Sequence, residues 1–224
     1  MHTQHSHKPA SFHLSPQDAM GAPREDFLYV VCTRAGTDVD APDFLAVVDT
    51  NPASESYGRI VHELPMPYVG DELHHFGWNR CSGACHGPDR SHLIIPGFRS
   101  SRVYVVDVGS DPRQPKIERV IEPEELLEAT GYTRPHTTHC MPGENVVLSM
   151  LGDAEGNAAG GFAVIDGQTF EVKGRWENGG PKPSMNYDFW YQPRQNVLVS
   201  SEFGVPNAYE PGFDLDDVAA GRYG

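Results

Sequence analysis

A chain of 224 residues with 31 acidic against 17 basic side chains carries a formal charge of −14, which disfavours nonspecific attraction to nucleic acid or to anionic membrane surfaces. Its apolar runs extend over only about four to six residues, far short of the roughly 20 that a membrane-spanning helix needs. Four cysteines at irregular spacing do not make a disulfide framework and read as thiols of a reducing compartment.

The opening stretch, Met1-His-Thr-Gln-His-Ser-His-Lys-Pro9, lacks the apolar core of a secretory signal, so the cytoplasm is the expected compartment. Residues 1–20 read as a disordered tail in which His2, His5, His7 and His13 offer no more than adventitious metal binding. From residue 21 to 224 the chain reads as one domain. An apolar run, Phe27-Leu-Tyr-Val-Val-Cys32, leads to a β-branched run ending in Asp, Phe44-Leu-Ala-Val-Val-Asp49, then a turn at Thr50-Asn-Pro52 and an alternating strand, Arg59-Ile-Val-His62. The pattern returns as His92-Leu-Ile-Ile95, Val103-Tyr-Val-Val-Asp107 and Lys116-Ile-Glu-Arg-Val120, and again as Asn145-Val-Val-Leu-Ser149, Phe162-Ala-Val-Ile-Asp166 and Glu171-Val-Lys-Gly-Arg-Trp176. An earlier strand precedes the later units, near His74-His75-Phe-Gly-Trp78 and His136-Thr-Thr-His139-Cys140. A further unit opens with Tyr187-Asp-Phe-Trp-Tyr191 and Asn196-Val-Leu-Val-Ser200, and beyond it Asp214 is placed to cap a short helix through Ala220.

The strand-closing residues Asp49, Asp107 and Asp166 stand about 58 residues apart, a period in the range of propeller and solenoid arrays. Their recurrence marks them as turn formers, since Asp bonds local backbone amides at strand ends. Four short antiparallel strands per unit, split by Gly, Pro, Asn and Asp, describe a propeller blade. The expected fold is therefore all-β: an incomplete β-propeller of about three to four blades. Closed propellers usually have about four to eight blades, so the chain reads as about half a molecule: a truncated product, a fragment, or a subunit that closes by self-association through its open propeller edges.

Histidines at the start of two blades would converge where channel-lining strands meet, and imidazole is the commonest side-chain metal ligand near neutral pH. His74, His75, His136 and His139 are thus candidate ligands of one transition metal. Adjacent strand residues face opposite ways, so His74 and His75 can share an ion only if the strand bends or starts there; otherwise one supports the other. The alternative is that these histidines hydrogen-bond neighbouring blades together. His62 and His92 read as structural, and His86 has no strong case. Cys32 reads as a small buried hydrophobe, whereas Cys140 is a candidate ligand or near-site thiol. Cys81 and Cys85, in the loop Arg80-Cys-Ser-Gly-Ala-Cys-His-Gly87, are candidate redox, soft-metal or selenium positions, or simply part of an exposed loop. Tyr187, Phe189, Trp190 and Tyr191 read as core, with Asp188 a candidate to face the metal.

The segments Gly21-Ala-Pro-Arg-Glu25, Ala41-Pro-Asp-Phe-Leu45, Glu63-Leu-Pro-Met-Pro67, Asp71-Glu-Leu-His-His75, Gly77-Trp-Asn79, Ser100-Ser-Arg-Val-Tyr-Val-Val-Asp107, His136-Thr-Thr-His-Cys140, Gly161-Phe162, Phe170-Glu-Val-Lys-Gly174 and Tyr187-Asp-Phe-Trp-Tyr-Gln-Pro193 resemble, in order, the N-terminal half of the selenium-binding protein family. The resemblance implies a copper-bearing propeller that oxidises a small thiol, methanethiol, with oxygen and water to formaldehyde, hydrogen sulfide and hydrogen peroxide. It places copper at His74, His75, His136 and His139. Two departures stand out. Gly58 occupies the position where some relatives have a selenium-associated cysteine, and three residues rather than two separate Cys81 from Cys85. A selenium- or thiol-handling protein without turnover and a propeller scaffold for protein partners are the other readings.

Overall fold

Short β-branched runs punctuated by Gly, Pro, Asn and Asp fold as antiparallel strands joined by turns. The structure is a computed structural model that describes residues 16–21, 24–80, 90–141, 143–180, 182–192 and 195–224. A short helix, α1 (Pro16–Gly21), runs from within the stretch 1–20, expected to be a disordered tail, to the first residue beyond it; residues 1–15 lie outside the described residues. A three-stranded sheet follows, β1 (Phe27–Cys32), β2 (Phe44–Asp49) and β3 (Ile60–Pro65). The second sheet has four strands, β4 (Gly77–Trp78), β5 (His92–Pro96), β6 (Val103–Asp107) and β7 (Lys116–Ile121).

After helix α2 (Pro123–Thr130) comes a second four-stranded sheet, β8 (Thr133–Met141), β9 (Asn145–Gly152), β10 (Ala158–Asp166) and β11 (Val172–Arg175). A pair, β12 (Asn186–Gln192) and β13 (Val197–Glu202), and two short helices, α3 (Pro206–Tyr209) and α4 (Leu215–Ala219), complete the described chain. Every sheet is an antiparallel meander in which sequence neighbours pair.

The two-residue period of a strand explains how these sheets pack. Ile94, Val103 and Val105 send their side chains toward the third sheet, where they join Val146, Leu148, Met150, Ala163 and Ile165. The alternate residues Leu93, Ile95, Tyr104 and Val106 point the other way and join Leu45 of the first sheet and Met66 just beyond it. On the far side of the third sheet, Val147 and Phe162 meet Phe189 of β12. Sheets two and three are thus covered on both faces, which accounts for the near-continuous apolar runs of β5, β6 and β9. The outer strands β3 and β13 alternate exposed and half-buried positions instead.

The three recurring aspartates act at the turns. Asp49 Oδ1 accepts the Asn51 amide, Asp107 Oδ1 accepts those of Gly109 and Ser110, and Asp166 Oδ1 accepts those of Gln168 and Thr169. Hydrogen bonds from Ser54 and Ser56 hold the Asp49 carboxyl below the usual carboxylate range, and the Lys173 ammonium bonded to Asp166 does the same there.

Helix α2 was not among the elements read from the sequence. Pro123 occupies its first turn with Glu124 and Glu125, an arrangement that suits the free amides and positive end of a helix N-terminus. Gly131 ends it at φ 71°, donating its amide to the Leu127 carbonyl. Leu126 and Thr130 are buried, and the helix delivers the chain directly into β8.

Candidate metal centre

His74 and His75 precede β4 rather than lying within it. The His74 amide donates to the Pro96 carbonyl at 2.9 Å, and Leu73 forms an isolated bridge with Gly97. Because regular pleating begins only at Gly77, the two adjacent imidazoles are not forced to opposite faces.

Their partner, His136, comes from the third sheet. Pairing between β8 and β9 slips between Pro135 and Thr138, a bulge that re-aims the side chains it contains. Just before it, Arg134 has φ 56°, a left-handed conformation that is unusual for a residue with a side chain. It is held by its amide bond to Ser101 Oγ and by a guanidinium pair with Glu210 at 2.8 and 3.3 Å.

The two backbones are stitched together where the rings meet. The Thr138 amide donates to the His75 carbonyl at 3.0 Å, and Gly77 passes so close that a Cβ there would lie 2.5 Å from the Thr138 carbonyl oxygen. The His136 ring centroid stands 4.8 Å from that of His74 and 4.6 Å from that of His75, while His74 and His75 are 6.1 Å apart. Phe98 stacks on His74 at 4.7 Å, and Tyr187 lies 4.0 Å from His136. Tyr187, assigned to the core from sequence, therefore forms a wall of this site.

His136 is fully buried, and its pKa is pushed down to about 3, first by burial and then by the positive potential of His74 and His75. It is neutral at physiological pH, the form in which imidazole ligates a metal. Two ring nitrogens in the trio, His74 Nδ1 and His136 Nε2, are buried and make no hydrogen bond. Such groups are costly to leave unpaired, and two of them on rings 4.8 Å apart fit an ion as their common partner. All three donors are imidazoles, which suit copper as well as zinc, iron or nickel.

A residue not singled out from the sequence, Glu72, joins them. Glu72 has φ 55°, at a conformational cost of about 1–3 kcal/mol for such strained positions. Its carbonyl accepts the Phe98 amide at 2.9 Å. Its carboxylate bonds His74 Nε2 at 3.2 Å and accepts from Arg99 Nε. The bond to His74 and the contact with Arg99 outweigh partial burial and hold the Glu72 carboxyl below its ordinary pKa. A carboxylate two residues before a histidine pair is the only signal in sequence, and it becomes legible once the strained turn is seen.

The fourth candidate, His139, packs away from the trio. Its ring lies 5.0 Å from Phe189 and 4.7 Å from Trp190, and its pKa is lowered by burial against an opposing influence of Asp188. Asp188 also raises the basicity of His136, though less than burial lowers it, and its Oδ1 accepts the Phe189 amide. Cys140 and Cys32 are half-buried free thiols. Cys81 and Cys85 lie outside the described residues.

Among the described residues, His92, Asp107 and Glu118 form the set whose three donor atoms all lie within 4.8 Å of one another; the trio of imidazoles is more open. Both His92 nitrogens are already engaged, Nδ1 with Ser91 Oγ and Nε2 with Glu118, each at 2.8 Å, and Asp107 serves its turn. That set is satisfied without an ion. An open cleft of about 450 Å³, lined by Val31, Leu73, His74, His75 and Phe76, leads to the imidazoles.

Comparison with known proteins gives a consistent result. The family model described as 56 kDa selenium binding protein matches residues 5–224. A methanethiol oxidase from Xenopus laevis is 52% identical over 213 residues, covering 94% of this chain and 45% of that protein. Selenium-binding protein 2 from Mus musculus is 50% identical with the same coverage. The crystal structure of a hypothetical selenium-binding protein from Sulfolobus tokodaii superposes with a TM-score of 0.87 at 47% identity, over 92% of this chain and 46% of that one. The chain spans about half the length of the relatives it matches.

Proposed function

Because the chain belongs to the 56 kDa selenium-binding protein family, we propose that it forms part of a copper-dependent thiol oxidase acting on methanethiol. In this reading its sheets are consecutive blades of a propeller, and His74, His75 and His136 hold the metal near the axis. The observation that carries it is the pair of buried, unpartnered nitrogens, His74 Nδ1 and His136 Nε2, on rings 4.8 Å apart.

The reaction joins methanethiol, oxygen and water to give formaldehyde, hydrogen sulfide and hydrogen peroxide, a balanced two-electron oxidation at carbon. Copper, when bound, would favour the thiolate form of the substrate and provide a route for electrons from it to oxygen. The chain's own residues do the rest. His136 stays neutral because it is buried, so it presents a lone pair rather than a charge. Phe98 and Tyr187 pack against the His74 and His136 rings. Val31, Leu73 and Phe76 line the cleft with apolar surface suited to a methyl group.

Since the chain covers 45% of its oxidase relative, copper retention is a more direct readout than turnover. Protein purified without an affinity tag is expected to bind copper, His74→Ala and His136→Ala to lose it, and His139→Ala to keep most of it. Equal copper content in all four proteins would remove the site assignment. Hydrogen sulfide release from methanethiol then tests activity separately. A second reading, selenium or thiol handling without turnover, draws on the name of the mouse relative and on the half-buried Cys140 thiol. Selenite uptake by metal-free protein that is lost in Cys140→Ser would favour it.

A further inference from the structure

The side-chain bonds of His136 and His74 differ in what they force. His136 Nδ1 lies 2.8 Å from the Thr137 hydroxyl, which can donate or accept, so that contact leaves the tautomer of His136 free. His74 Nε2 faces a carboxylate oxygen of Glu72 at 3.2 Å, and an ionised carboxylate only accepts. The proton of a neutral His74 must then sit on Nε2, leaving Nδ1 as a bare lone pair. That Nδ1 is the buried atom without a partner.

We propose that Glu72 is a positioning residue that locks His74 in the Nε2-protonated tautomer and so makes Nδ1 its metal-binding atom. The inference deepens the copper reading and rests on it for the identity of the ion. Three independent features of the structure support the lock. Glu72 adopts the left-handed backbone conformation at φ 55°, in which its carbonyl accepts the Phe98 amide. Arg99 Nε donates to the other carboxylate oxygen, anchoring the group from behind. Phe98 stacks on the His74 ring with an interplanar angle of 19°, so the imidazole is held in its plane as well as at its edge. Adjacent Asp71 is fully buried beneath this turn and bonded to the Tyr104 hydroxyl. Supporting carboxylates of this kind fix ring orientation and raise ligand basicity, and their loss typically costs about 10–100-fold in metal affinity.

The decisive variant is Glu72→Gln, which keeps the shape of the side chain but replaces an acceptor-only group with an amide that both donates and accepts. In the metal-free chain, long-range ¹H–¹⁵N correlation spectra of the histidine rings should show wild-type His74 protonated at Nε2. Glu72→Gln should show a mixture of tautomers with an otherwise unchanged amide spectrum, and its Cu(I) affinity by competition with a chromogenic chelator should fall about 10–100-fold. Arg99→Ala, which frees the carboxylate without removing it, should move both readouts in the same direction by less. An unchanged His74 tautomer in Glu72→Gln overturns the proposal, as does a wild-type His74 protonated at Nδ1. A wild-type chain that takes up no copper while the tautomer still shifts in Glu72→Gln removes the metal reading and leaves the lock in place, so the two failures are distinguishable.

Discussion

Burial of His136 makes the stability of the metal-free chain depend on pH in a defined direction. In the unfolded chain this imidazole titrates near 6.5, and in the fold it titrates at about 3. The unfolded state therefore binds the proton more tightly. The stabilisation is whole above pH 6.5 and drains away as pH falls from there toward 3, because every proton bound below 6.5 favours the open chain. Between about pH 7.5 and pH 5 the loss from this one group is about 2 kcal/mol, from roughly 1.4 kcal/mol for each pH unit below the unfolded pKa. Urea unfolding of chelator-treated protein across this range measures it. Other carboxylates and histidines contribute a common background, which His136→Gln isolates, since glutamine fills much of the space and binds no proton. The gap in stability between wild type and variant should narrow by about 2 kcal/mol on acidification. Parallel pH profiles for the two proteins would refute the account, showing that His136 is either not buried in solution or already protonated there.

Two further outcomes follow from packing. Asp71→Ala removes the acceptor of the buried Tyr104 hydroxyl, and leaving that group unpaired should cost about 1–3 kcal/mol in denaturant unfolding. Arg102 adds little to the loss, because it is partly exposed and also paired with Glu122; a change below about 0.5 kcal/mol would contradict the assigned bond. At the two-stranded β12–β13 sheet, Trp190 and Val199 face each other across the strands and are 70% and 66% exposed. Exposed apolar strand surface invites association, so Val199→Lys should reduce concentration-dependent light scattering while leaving the circular dichroism spectrum intact. Scattering that is unchanged would show that this sheet is not the contact.

Short apolar runs closed by turn residues made the strands legible. Phe27–Cys32, Phe44–Asp49 and Val103–Asp107 span β1, β2 and β6 as read from sequence, because each is a β-branched or aromatic run closed by turn chemistry. Strand β10 begins at Ala158, four residues before its apolar run, since Ala158 and Gly161 pair with β9 without an apolar signature. Helix α2 was missed although Pro123, the two glutamates after it and Gly131 are ordinary helix boundaries; the strand repeat masked them.

At the site, the residues to examine were legible but their directions were not. Strand alternation alone would have separated His74 from His75, and only the late start of β4 at Gly77 lets both rings approach His136. His139 shares the motif of His136 yet packs against Trp190; residues three apart on a regular strand already face opposite ways, so the motif alone did not promise a common face, and a register slip lies between Pro135 and Thr138. A proline within a strand run is a known mark of a bulge, but it does not say which side chain will be redirected. Glu72 was invisible because its importance lies in a backbone angle.

The closeness of Gly77 to the Thr138 carbonyl bears on how this fold tolerates change. A methyl group at that position would wedge between the second and third sheets and widen the gap between imidazoles without altering one donor atom. The spacing of the two sheets beside His75 is gauged by a hydrogen atom at a position that itself offers no donor group. A substitution there would disturb the meeting of the two sheets while leaving every histidine in place, and an inventory of chemically reactive side chains would overlook it.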